Sequence, residues 1–139
     1  FLSKPDNLAV TSDGVVLIQE DPGNNAHVAR LVAFRLKDQK LATVAQFNSD
    51  YFATGASKFM TTDEESSGIV DVTSMVAKPG DSKKYFYFNA QVHTTGAYTA
   101  RPDLTTKSPS GILKFNQKTL EGGAYYSLTI TDWKTVFGS

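Results

Sequence analysis

Lys4-Pro5-Asp6-Asn7-Leu8-Ala9-Val10, Thr11-Ser12-Asp13-Gly14 and Val15-Val16-Leu17-Ile18-Gln19-Glu20-Asp21 follow one another without a gap, and their reading decides the fold. Leu8 to Val10 is a short β-run. Thr11-Ser12-Asp13-Gly14 is a tight turn, with glycine where a positive φ is needed. Val15 to Ile18 is apolar at every position, which predicts burial on both faces and a central strand. Glu20-Asp21-Pro22-Gly23-Asn24-Asn25 then breaks the strand.

The pattern continues outward from this hairpin. Val28 to Leu36 and Leu41 to Phe47 read as strands flanking the polar tip Lys37-Asp38-Gln39-Lys40. Four strands in meander order therefore fill residues 1–50. A connection over 51–63 leads to a looser repeat over 64–139. There, Ile69 to Val72 is a short run, Val76 to Lys84 a loop carrying Pro79-Gly80, and Tyr85 to Phe88 a strand apolar on both faces. Ile112 to Phe115 and Tyr125 to Ile130 are expected to pair across a connection containing Gly122-Gly123. Helical periodicity is nearly absent. The reading is all-β: two four-stranded antiparallel blades of a β-propeller, the second with loop insertions. An eight-stranded β-sandwich is the alternative. Two blades alone leave both flanking faces bare, so the partners expected are the remaining blades of a parent chain or a second molecule.

Bulk composition narrows the function classes. The chain has 139 residues and no cysteine, which removes disulfides and thiolate chemistry. Its formal net charge is +0, with no basic stripe of the kind nucleic acid requires. The apolar runs fall far short of the roughly 20 residues that span a bilayer. Neither an initiator Met nor a signal-peptide pattern is present, and Phe1-Leu2-Ser3-Lys4-Pro5-Asp6 reads as a processed N-terminus or the interior of a longer protein. There is no Walker A loop, no G-x-S-x-G elbow and no H-E-x-x-H pair.

The candidate chemistry comes from hairpin geometry. In an antiparallel pair, the start of one strand lies beside the end of the next. Asp6-Asn7 should therefore meet Gln19-Glu20-Asp21, and Glu64-Glu65-Ser66 should meet Asn89-Ala90-Gln91-Val92-His93, at one end of the blades. Carboxylate and amide oxygens in that number suit a hard cation such as calcium, and without one they repel each other. Each residue also has a plain structural reading. Glu20-Asp21 fits a solvated turn, Asp6 a turn cap, Glu64 a solvated carboxylate, and His93 a satisfied structural histidine. Their convergence is what favours a metal.

The same residues carry a resemblance. Lys4-Pro5-Asp6-Asn7-Leu8, Asp13-Gly14 and Leu17-Ile18-Gln19-Glu20-Asp21, then Glu65-Ser66-Ser67-Gly68-Ile69, then Tyr87-Phe88-Asn89-Ala90-Gln91-Val92-His93, resemble in order the runs of the PhoX-type alkaline phosphatase-like β-propeller family. The likeness covers roughly residues 4 to 96 and is only architectural beyond. It implies a secreted or periplasmic bacterial propeller that includes calcium-dependent phosphatases, some using iron as well, with the metals at the channel mouth. By position it makes Asp6 and Glu65 metal ligands, with Glu20 and Asp21 as further candidates and Gln91 and His93 facing the phosphate-ester substrate. The active members also use a cysteine and carboxylates from other blades, which this chain lacks, so it is expected to be inactive alone. The competing expectation is a non-catalytic extracellular propeller, stabilised by calcium, that binds a partner or builds a layer.

Overall fold

The computed structural model describes residues 1–21, 23, 27–93 and 121–138, with backbone only at 121 and 122. The described residues form two antiparallel sheets. In the first, β1 (Pro5–Val10), β2 (Val15–Glu20), β3 (Arg30–Arg35) and β4 (Lys40–Gln46) are adjacent in sequence order. In the second, β5 (Glu64–Asp71), β6 (Lys84–His93) and β7 (Glu121–Ile130) follow the same order. Ile112 to Phe115 lies outside the described residues. Gly122 and Gly123 form no turn: they lie inside β7, opposite Val92 and Gln91. Three short helices among the described residues were not legible as periodicity: α1 (Ser49–Phe52), α2 (Thr73–Val76) and α3 (Trp133–Phe137). Each is about one turn long, too short to show a 3.6-residue repeat. No helix among the described residues is long and apolar enough to cross a membrane.

Local chemistry sets the first hairpin. The Thr11 amide donates to the Val15 carbonyl at 2.9 Å, and Gly14 sits at φ +80°. Leu8 then pairs with Ile18, and Val10 with Val16. Alternation sends Val15 and Leu17 towards the second sheet, where they meet Leu31, Ala33, Ile69, Phe86 and Ile130 in one core cluster. Leu17 and Phe86 are fully buried, and side chains of this kind contribute about 1.5–3 kcal/mol each on burial.

The sheets form a wedge. At one side β1 and β5 lie side by side, with Asn7 Nδ2 3.2 Å from Ser67 Oγ. At the other side a groove of about 260 Å³ opens, lined by Ala45, Phe47, Phe52, Phe88 and Tyr126 among others. Helix α3 packs against β4, its Trp133 and Phe137 covering the core edge. The faces turned away from the wedge carry exposed apolar side chains. Leu8 is 61% exposed on the first sheet and Tyr125 94% on the second, with Val10, Leu41, Val70 and Tyr87 also exposed.

One glycine is held by a close approach. Between Ser67 and Val70 the register of β5 slips by a bulge, and Gly68 sits there at φ +62°. A Cβ at Gly68 would stand 2.7 Å from Asn89 Oδ1. Gly68→Ala is expected to cost about 1–3 kcal/mol in urea unfolding, from backbone strain and that clash. Gly14→Ala meets nothing within 4 Å and should cost less. Equal costs would show that the bulge does not constrain the strand.

Candidate functional site

The antiparallel geometry brings five of the sequence-derived candidates together. Asp6 is the bulged residue between the Pro5–Glu20 and Asn7–Gln19 pairs, which frees it from the regular ladder. Asp21 is tied beside it by its amide, which donates to the Lys4 carbonyl at 2.9 Å. Glu65, the second residue of β5, lies opposite Gln91 near the end of β6, so the two side chains share a sheet face. His93 follows on β6, its Nε2 3.9 Å from Glu65 Oε1. The Asp63 carbonyl accepts from the His93 amide at 2.9 Å, and the Thr61 hydroxyl donates to the His93 carbonyl at 2.8 Å, which fixes this strand end.

Electrostatics registers the convergence. Burial pushes the Glu65 carboxyl above the usual range. Asp21, within hydrogen-bonding reach, and Asp6 push it further, while His93 opposes them. Like-charged carboxylates held this close either keep a proton or take up a cation. The donor chemistry fits a hard cation, which prefers carboxylate and amide oxygens. Among the described residues no three His, Asp or Glu side chains form a ready coordination shell.

Three other residues from the same sequence runs turn elsewhere. Glu20 does not join the acidic group. It is fully buried at 0% exposure and is gripped by Arg30, whose Nη2 reaches Oε1 at 2.7 Å and whose Nε reaches Oε2 at 3.0 Å. The Ser3 amide at 2.8 Å and the His27 ring at 3.0 Å complete its partners. No oxygen of Glu20 is left for a metal, and the solvated-turn reading of this residue fails with it. Gln19 points between the sheets, its Oε1 accepting from the Ile69 amide at 3.1 Å. Glu64 is not solvated but 1% exposed, with Oε1 accepting from the Ala29 amide at 2.9 Å. The signal that could have found Glu64 is strand alternation, which must separate it from Glu65.

No family model matches this chain, and neither a curated protein nor a solved structure does.

Glu20 and Glu64 predict opposite pH effects. Burial raises the Glu20 carboxyl, but the bonds from Arg30, Ser3 and His27 outweigh it and hold it at about 2. Its folded value lies below its unfolded one, so its stabilisation is present above the unfolded value and disappears as pH falls through about 2. That stabilisation is on the order of 3 kcal/mol. Burial pushes the Glu64 carboxyl up. Its contribution is present at acid pH and lost as pH rises through the raised value. Urea unfolding between pH 2 and 8 should therefore show Glu20→Gln losing about 3 kcal/mol at pH 7, with a flattened acid limb. Glu64→Gln should gain relative stability as pH rises. Parallel pH curves for wild type and both variants would remove these assignments.

Proposed function

We propose that this chain contributes two neighbouring blades to a phosphatase-like propeller, with Asp6, Asp21 and Glu65 supplying oxygens to a calcium site at the channel mouth. The observation that carries the reading is the meeting of these carboxylates and His93 from both sheets, with Glu65 pushed up by its neighbours. The wedge supports it, because propeller blades converge on their inner strands, here β1 and β5. Exposed apolar side chains on the outer faces of both sheets suit flanking blades, from the same protein or from another molecule.

In this reading the chain's own residues divide the work. Asp6, Asp21 and Glu65 gather negative charge where a divalent cation binds. Gln91 and His93 offer donors beside it for the oxygens of a phosphate ester. Bound calcium would supply charge that neutralises phosphate oxygens in the transition state. The reading places the protein outside the cytoplasm and the hydrolase activity in the complete propeller, with iron beside calcium as a further expectation.

In a second reading calcium joins the blades, and the propeller serves as a non-catalytic binding or structural module. Calcium titration followed by thermal unfolding tests the site, and p-nitrophenyl phosphate hydrolysis by protein purified from its source separates the readings. At about 100 times the dissociation constant, calcium should add about 2.7 kcal/mol, a rise in Tm of roughly 5–10 °C. Asp6→Asn and Glu65→Gln should abolish the rise without unfolding the chain. An unchanged Tm in wild type would sink the metal site. A calcium-dependent Tm without chelator-sensitive turnover would favour the structural module.

A further inference from the structure

Consecutive tyrosines on β7 face opposite ways. Tyr125 stands on the outer face at 94% exposure, whereas Tyr126 lines the groove at the open side of the wedge. Register decides what Tyr126 meets there. It pairs with Phe88 of β6, and the two rings stack with centroids 5.4 Å apart and an interplanar angle of 22°. The first sheet supplies a second ring pair. Phe47, just past β4, meets Phe52 of α1 edge-on at 5.3 Å, and both line the same groove. One aromatic pair from each sheet thus borders the gap.

Small residues keep the gap open. Ala45 of β4 and Ala90 of β6 line it as well, and their methyl groups are too short to fill the space between the diverging sheets. Folded interiors are otherwise packed without voids of this size. The rings are within reach of solvent: Tyr126 is 49% exposed, and Phe47, Phe52 and Phe88 are partly exposed. Among the described residues the lining holds no charged side chain. An ionic ligand would give up its water there without gaining a counter-charge, whereas a neutral one loses little. Ring–ring contacts favour an aromatic occupant over an aliphatic one of the same area. The groove of about 260 Å³ sets the size. An apolar cavity of about 150 Å³ takes up benzene, and drug-sized ligands need more than about 300 Å³. Such a notch inside one chain suits a small molecule rather than the broad face of a protein partner.

We propose that this groove binds a small neutral aromatic compound of one or two rings, held by the Phe47–Phe52 pair on one side and the Phe88–Tyr126 pair on the other. The inference stands apart from the metal reading, because none of Asp6, Asp21 and Glu65 lines the groove. Flanking blades would seat on the outer faces and leave it open. The probe is phenol, titrated against the full chain at about pH 7, where its hydroxyl keeps its proton, while backbone amide NMR shifts are followed. The expected result is saturable movement of the Phe47, Ala90 and Tyr126 amides. Tyr126→Ala should weaken binding about fivefold or more, and Tyr125→Ala, on the opposite face, should leave it unchanged. Cyclohexanol should bind wild type about threefold more weakly and benzoate about tenfold more weakly, comparisons that need no variant to fold. Absence of saturation would overturn the proposal, as would equal binding of cyclohexanol or benzoate, equal affinity in Tyr126→Ala, or loss of binding in Tyr125→Ala.

Discussion

The fork of Arg30 around the buried carboxylate of Glu20 is the constraint on which the working end of the molecule depends. It joins the last residue of β2 to the first of β3, and Arg30 also donates to the Phe1 carbonyl at 2.7 Å. The Ser3 amide reaches the same carboxylate, so the N-terminal segment is pinned just before β1 begins. Asp6 and Asp21 inherit their positions from that pin. A paired buried carboxylate costs desolvation, and only near-complete satisfaction of its oxygens makes the arrangement stable. Five donor contacts reach Glu20 here: two from the Arg30 side chain and one each from the Arg30 amide, the Ser3 amide and His27.

Much of the fold was legible because turn chemistry and period-two alternation are local. Thr11-Ser12-Asp13-Gly14 announced the first hairpin, and the uninterrupted Val15–Ile18 run placed β2 in the middle of its sheet. Gly122-Gly123 misled for an equally local reason. Paired glycines usually mark a turn, but here they lie in β7, across from Val92 and Gln91, where nothing in their own chemistry required a strand. Pairing across the sheet decided it.

The site was legible in part for the same reason. Antiparallel geometry alone brings Asp6, Asp21, Glu65, Gln91 and His93 to one end. It does not say which carboxylate will find an internal cation. Arg30 lies ten residues from Glu20 in sequence and offers no spacing motif, so the capture of Glu20 was invisible until the strands were paired. The burial of Glu64 was hidden similarly, since an acidic pair before a strand looks solvated until one sheet is laid on the other.

The bulge at Gly68 has a wider consequence. Upstream of it the even-numbered residues Glu64 and Ser66 are buried, and downstream the odd-numbered Ile69 is. One added residue thus resets the phase of the strand and separates it into two independently addressed halves. Selection can vary the acidic half for a new ligand while the apolar half keeps its seat in the core. A single-residue deletion at the bulge would couple the halves again, exchanging the places of Glu64 and Glu65 or expelling Ile69.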